Sequence, residues 1–286
     1  MKQEITDLYQ EYREGAFGRR DFFKRLTLLT GGTLAASAVL SQLETTPAAA
    51  EMIPANDDRL HTETILYPTP TGEMRAYWAR PIGKEKLSGV VVIHENRGLN
   101  DHIRDVARRM ALDGFLAVAP DALSPVGGTP ADSNEARSKF RELDSRETVN
   151  NFTAAVKYLK THPLSTGKVG CTGFCWGGGM TNQVAVNSED LAAAAPYYGS
   201  QPNPEDVSKI KAAMLLHYAG EDQRINSGIP AFEEALKKAG VEYKLYVYEG
   251  AQHAFNNDTN ESRYNKEAAE LAWKRTIDFF KEKLKE

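Results

Sequence analysis

The residues Gly173-Phe174-Cys175-Trp176-Gly177-Gly178-Gly179 put a thiol at the centre of a G-x-C-x-G turn. Lys168-Val169-Gly170-Cys171-Thr172 before it has the character of a short buried strand, and Met180–Val186 after it that of a helix. A chain that turns so quickly from strand to helix needs glycine on both sides of the central residue, because side chains there would strike neighbouring backbone. The turn lifts the central side chain out of the sheet and aims a helix N-terminus at it. Free N–H groups and the positive end of the helix dipole favour thiolate over thiol. The pattern is a nucleophile elbow with cysteine in the place of serine. The alternative is a buried structural cysteine in a glycine-rich turn.

A nucleophile needs a base, an acid to orient that base, and donors for the oxyanion. In an open parallel sheet these groups gather at the carboxyl ends of the strands. Two downstream loops qualify. Met214–Tyr218 leads into Ala219-Gly220-Glu221-Asp222, and Tyr243–Tyr248 leads into Glu249-Gly250-Ala251-Gln252-His253. The order is nucleophile, acid, histidine, which is the chain order of the α/β-hydrolase triad. His253 would then manage the proton of Cys175 while Asp222 fixes its tautomer, with Glu221 the rival acid. His253 could equally be a loop histidine bonded to backbone. The loop His94-Glu95-Asn96-Arg97-Gly98-Leu99-Asn100 stands where this architecture supplies an oxyanion N–H, so the hole is expected from the amides of Asn96 and Trp176. Glu95 is either a carboxylate beside the thiol or an ion-pair partner of an arginine such as Arg97. Among the other histidines, His217 is expected to be buried in its strand, His61, His102 and His162 far from the site, and His94 is ambiguous.

The elements that would hold these residues alternate. Thr64–Tyr67 and Met74–Ala79 suit paired strands around a Pro/Thr/Gly turn, and Gly89–His94 and Phe115–Ala119 suit strands buried on both faces. Ala192–Tyr198, Ala212–Tyr218 and Tyr243–Tyr248 add further strands. Helices are expected over His102–Asp113, Asp144–Thr161, Ile229–Ala239 and Glu267–Lys283. Such alternation predicts an α/β fold, a mainly parallel doubly wound sheet flanked by helices, in one domain over residues 51–286. With 286 residues, 41% hydrophobic, 26% charged and a net charge of −4, the chain can bury one substantial core. Nothing in its charge points to a nucleic-acid partner. The two cysteines, four residues apart on an extended strand, stand on the order of 13 Å from one another. A disulfide requires roughly 4.4–6.8 Å, so Cys171 and Cys175 should not bridge, and they make a poor shared metal site.

Residues 1–50 have a different character. A polar stretch leads to Gly18-Arg19-Arg20-Asp21-Phe22-Phe23-Lys24, then a weakly apolar run from Leu26 to Leu43, then Ala48-Ala49-Ala50. This resembles a twin-arginine export signal, with Gly18 and Phe23 departing from the usual residues. The alternatives are a membrane anchor or an amphipathic helix, but Gly31, Gly32, Ser37 and Ser41 make a poor permanent span. The expectation is a mature chain from near Glu51, delivered folded to the periplasm by the twin-arginine machinery and lacking a stable span. A non-functional signal would leave it in the cytoplasm.

Taken together, the elbow, the His94–Asn100 loop, the Gly220-Glu221-Asp222 loop and the His253-Ala254-Phe255 segment resemble the dienelactone hydrolase (carboxymethylenebutenolidase) family over roughly residues 62–285. The resemblance implies a hydrolase of esters or lactones, free of metal and cofactor, with Cys175, Asp222 and His253 as triad. It also implies that Glu95 hydrogen-bonds the resting thiol. One position departs from the family. Its namesakes grip a substrate carboxylate with arginines, one of them four residues after the histidine, and that residue here is Asn257. Arg97, Arg137 and Arg141 are the candidates to replace it. The function expected is acyl transfer to water through a thioester. The competing readings are a binding relative that kept the cleft without the chemistry, and a thiol redox sensor, which would lack a resolving cysteine.

Overall fold

The computed structural model describes residues 52–83 and 86–285, with residues 4–5, 8–9, 12, 19–33, 35–36 and 39 of the N-terminal segment. The expected cleavage region, Ala48–Glu51, lies outside the described residues. Arg19–Thr30 forms helix α1. Its Phe22 and Leu26 are buried with Leu8, Tyr12 and Ala36 in a cluster distinct from the two clusters of the sheet. Among the described residues no helix is long and apolar enough to cross a membrane.

The elements that follow are β1 (Leu60–Thr69), β2 (Gly72–Pro81), β3 (Leu87–Ile93), α2 (Asp101–Leu112), β4 (Leu116–Pro120), α3 (Ser133–Lys139), α4 (Ser145–Thr161) and β5 (Ser165–Phe174). The chain continues through α5 (Trp176–Asn187), β6 (Ala193–Tyr197), β7 (Ala213–Ala219), the single turn α6 (Gln223–Asn226), α7 (Ile229–Ala239), β8 (Tyr243–Tyr248) and α8 (Lys266–Lys283). The strands form one sheet in the order β1-β2-β4-β3-β5-β6-β7-β8. β1 pairs antiparallel with β2, and β2 with β4, while every pair from β4 through β3 to β8 is parallel. Pro68 is tolerated in β1 because that strand is an edge with no neighbour needing its missing N–H.

Side-chain alternation in the central strands feeds two cores. Val90, Val92, Ala117 and Ala119 face α2 and α8, where Ile103, Val106, Met110, Ala272 and Phe280 close the layer. Val91, Ile93, Leu116 and Val118 face the other way, against Phe152, Val156 and Leu159 of α4 and Val184 of α5. Burying each of the Val, Leu, Ile, Phe and Met side chains among these contributes roughly 1.5–3 kcal/mol, so the two layers clamp the sheet from both faces. Helix starts are set by side-chain caps. Asn100 accepts the Ile103 N–H, Asp144 that of Glu147, and Asn265 that of Ala268.

Two features go beyond what the sequence pattern predicts. The stretch from Met52 is tied to the fold, because the buried Asp105 carboxylate accepts the Met52 and Ile53 N–H groups at 3.1 and 2.9 Å. Arg108 Nε also donates to the Ile53 carbonyl at 2.7 Å. Second, α3 was not anticipated from the sequence, since it holds only seven residues and starts at a local Asp132 cap.

Candidate active site

Strand β5 delivers the chain to Cys175, which caps α5 with φ 56° and ψ −114°. The cysteine N–H donates to the Tyr197 carbonyl at 3.1 Å, and its carbonyl accepts from Gly179 at 3.1 Å, so the strained residue is held from both sides. The flanking glycines are steric necessities. A Cβ on Gly173 would sit 2.3 Å from the Gly177 carbonyl oxygen, and one on Gly177 would sit 2.4 and 2.5 Å from those of His94 and Ile93. The elbow therefore rests directly on the backbone end of β3.

Beyond β7, Asp222 is buried and caps the turn α6. Its Oδ2 makes a short hydrogen bond with His253 Nδ1, and its Oδ1 accepts the Ile225 N–H at 3.3 Å. That contact fixes the histidine proton on Nδ1 and leaves Nε2 without a protein partner among the described residues. Glu221, the rival acid, is exposed, and its N–H is spent on the Ala251 carbonyl. Asp222 is thus the residue that orients His253. The histidine ring also lies 5.1 Å from the ring of Tyr198.

Glu95 lies close enough to Cys175 for its charge to act on the thiol. One carboxylate oxygen, Oε2, accepts from Asn257 Nδ2 at 2.8 Å, and the other, Oε1, is buried with no protein hydrogen-bond partner. Asn257 is itself held by the N–H and hydroxyl of Thr259, at 3.0 and 2.6 Å. The Tyr198 hydroxyl, likewise buried without a partner, feels both Glu95 and Cys175.

These surroundings reverse one sequence expectation. The helix N-terminus does favour thiolate through the Trp176 N–H, but burial and the Glu95 charge outweigh it and push the Cys175 thiol up to about 12. Arg224 opposes them weakly, and Asp222 adds to the rise. Cys175 therefore rests as a thiol at neutral pH. Cys171 is also pushed up to about 12, by burial alone, and both cysteines are free.

The structure brings Cys175, Trp176, Glu95, Asn96, Asp222 and His253 to one end of the sheet. Of the three arginines, Arg97 donates to Ser133 Oγ at 2.7 Å, towards α3. Arg137 and Arg141 are exposed on α3 and the 3-10 turn after it. Phe140, between those two, packs edge-on against Trp176 at 4.8 Å, so this segment forms the wall beside the elbow. His102, expected far away, sits with Nδ1 3.1 Å from Asp258 Oδ1, one residue beyond the Asn257 that holds Glu95. The first turn of α2 lies at the same strand ends as the histidine loop, which sequence distance hides. Sequence reasoning also missed Tyr198 and Arg224. Tyr198 had a local signal, an aromatic at the end of a buried strand, but Arg224 is one charge among many.

Against known proteins, the sequence model of the dienelactone hydrolase family matches residues 74–284. Among the curated relatives is a protein of Saccharolobus solfataricus, 32% identical over 255 residues, covering 76% of this chain and 97% of its own. Another, from Methylorubrum extorquens, is 32% identical over 274 residues, covering 90% and 94%. Both carry the name "Putative carboxymethylenebutenolidase". In fold the chain is similar to a dienelactone hydrolase-like promiscuous phosphotriesterase from metagenomic libraries. That comparison gives a TM-score of 0.71 at 24% identity over 79% of this chain and all of the other.

Proposed function

From the premise that the chain belongs to the dienelactone hydrolase family, an α/β-hydrolase fold acting on esters and lactones, we propose that it works through a Cys175–His253–Asp222 triad and a thioester intermediate. The observation that carries this reading is the His253 imidazole tethered through Nδ1 to buried Asp222, with Nε2 open at the strand ends where the elbow presents Cys175. The thiol is protonated at rest, so attack requires transfer of its proton to His253 Nε2 as the sulfur bonds to the substrate carbonyl carbon. The carbonyl oxygen takes the electron pair and meets the Asn96 and Trp176 N–H groups. Collapse breaks the acyl C–O bond, and the alkoxide leaves with the proton from His253. A water then gives its proton to His253 and attacks the thioester. The thiolate departs, regains the proton, and the carboxylic acid is released.

Asn257 is neutral and engaged with Glu95, so it offers no charge to a substrate carboxylate. This favours neutral esters and lactones over dienelactone itself, unless Arg97, Arg137 or Arg141 turns inward on binding. The test is Cys175→Ala on a panel of activated esters and lactones, with intact mass of the wild type after a substrate pulse. Loss of turnover and an acyl adduct confined to the wild type support the reading. Full turnover by the variant would sink it.

The export address is proposed on the Arg19-Arg20 pair, the weakly apolar run after it and Ala48-Ala49-Ala50, with the twin-arginine machinery as partner and the periplasm as destination. Fractionation of an Arg19→Lys, Arg20→Lys double variant checks it. Unaltered delivery would discard the signal.

A further inference from the structure

His94 ends the run of β3 and has no part in the chemistry proposed above, yet it is wholly buried with both ring nitrogens engaged. The Ala122 N–H donates to Nε2 at 3.1 Å, which leaves the ring proton on Nδ1. Nδ1–H donates to the backbone carbonyl of Glu95 at 2.7 Å, and the Gly98 N–H donates to the same oxygen at 3.3 Å. The Glu95 carbonyl and the Asn96 N–H belong to one planar trans peptide and point in opposite directions. Tying the carbonyl to one side therefore turns the Asn96 N–H to the other. Among the described residues no protein acceptor takes that N–H. The other face of the arrangement involves the second donor residue. The His94 ring stacks on the Trp176 indole at 5.5 Å and 13°, and Phe140 meets both rings edge-on. The Gly177 backbone packs against the His94 carbonyl so closely that no Cβ fits between them.

We infer that His94 is a positioning residue of the oxyanion hole. Its neutral Nδ1–H tautomer sets the Glu95–Asn96 peptide by hydrogen bonding and holds the Trp176 end of the elbow by stacking, so one imidazole fixes the spacing of both amide donors. The inference rests on the thioester mechanism proposed above, in which those two amides receive the oxyanion.

Three variants separate its parts. His94→Asn keeps a donor where Nδ1 stood, His94→Gln keeps a partner for Ala122 but loses the bond to Glu95, and His94→Phe keeps only the ring. The readouts are kcat and KM on an activated ester and the inhibition constant of a trifluoromethyl ketone. That ketone adds to the thiol and places its oxygen in the hole. For His94→Phe we expect kcat about a hundredfold lower with KM within about twofold, and ketone binding weakened in step with kcat. His94→Asn recovers at least about tenfold over His94→Phe, and His94→Gln does not. Thermal melting identifies which variants fold. If His94→Phe does not, the order of Asn above Gln decides alone. Equal impairment of Asn and Gln, or a folded His94→Phe with near-normal kcat, overturns the inference. Cys175→Ala run alongside keeps the two failures apart. If it is dead while His94→Phe is normal, only the role of His94 falls, and if it stays active, the mechanism falls and takes this inference with it.

Discussion

At the carboxyl ends of the parallel strands, Cys175, Tyr198 and Ala254 hold φ of 56°, 37° and 69°, and they are the non-glycine residues at positive φ among those described. At the amino ends the same backbone region is taken by Gly83, Gly114, Gly167 and Gly240, for which it costs little. A non-glycine residue held there stores about 1–3 kcal/mol that the surrounding fold must offset. Polar groups divide in the same way. Glu95 Oε1 and the Tyr198 hydroxyl are buried without protein partners at one end, whereas at the other Ser88 Oγ donates to the Leu284 carbonyl at 2.7 Å and the Gly167 N–H to Ser165 Oγ at 3.0 Å. A cleft of about 300 Å³ lined by Lys86, Ser88, Asp113 and Phe280 lies at the amino ends, and it offers no nucleophile beside a base. Strain and unsatisfied polar atoms, rather than room, mark the end at which chemistry is possible.

The hardest test of that contrast is one substitution at each end. His253→Ala should lower kcat on an activated ester by about a thousandfold, with a drop in melting temperature as well, because it leaves the buried Asp222 carboxylate without its imidazole partner. Ser88→Ala removes two hydrogen bonds, to the Leu284 carbonyl and the Thr166 hydroxyl, costs about 1–2 kcal/mol, and leaves kcat alone. A Ser88→Ala enzyme with strongly reduced kcat at full folding would break the contrast.

Glycines sharpen it next. In Gly177→Ala the new methyl would overlap the carbonyl oxygens of Ile93 and His94, which are backbone and cannot swing aside. The elbow must shift, and we expect kcat lower by about a hundredfold together with a clear drop in melting temperature. In Gly240→Ala the methyl meets nothing within 4 Å, and the penalty is only that of φ 67°. That costs about 1–2 kcal/mol and leaves kcat unaltered. Steady-state kinetics beside thermal melting on both variants measures the difference.

The elbow was legible in the sequence because its requirement is local: glycines two residues either side of a cysteine, between an apolar strand and a helix. The alternation of strands and helices likewise disclosed the parallel sheet, since each buried strand is a continuous apolar run. Asp222 could be named but not separated from Glu221, because two adjacent carboxylates differ only in which one the capped turn α6 points inward. The role of Asn257 as the anchor of Glu95 was hidden, as it joins residues 162 apart in sequence. The sign of the Cys175 shift was hidden too. The dipole argument used the local turn, whereas burial and the Glu95 charge arise from loops that meet only in the folded chain.

That shift gives a smaller effect to measure. Glu95 raises the Cys175 proton affinity, so Glu95→Gln lowers it and enlarges the thiolate fraction at any pH below about 12. Iodoacetamide labelling of the native protein, followed by intact mass, should quicken by about tenfold in the variant at fixed pH. Slower labelling in Glu95→Gln would mean that the carboxylate acts chiefly as a proton acceptor for the thiol rather than as a charge beside it.

The smallest effect compares Cys171, inside β5, with Cys175, just beyond its end. A thiol at about 12 when folded and near 9.0 when unfolded holds its proton longer in the native state. Between those values the unfolded chain binds fewer protons, so stability falls as pH rises, by up to about 1.4 kcal/mol per unit for such a group. Wild type should therefore lose stability relative to Cys175→Ala above about pH 9, and relative to Cys171→Ala with a similar slope, as both thiols are pushed to about 12. Denaturant melts from pH 8 to 10.5 give these slopes. Their causes differ, because Cys171 is raised by burial and eased by Thr181, whereas Cys175 also carries the charge of Glu95. Glu95→Gln should flatten the Cys175 slope at the upper end of that range and leave the Cys171 slope as it was, and a Glu95→Gln that altered neither would place the cause in burial alone.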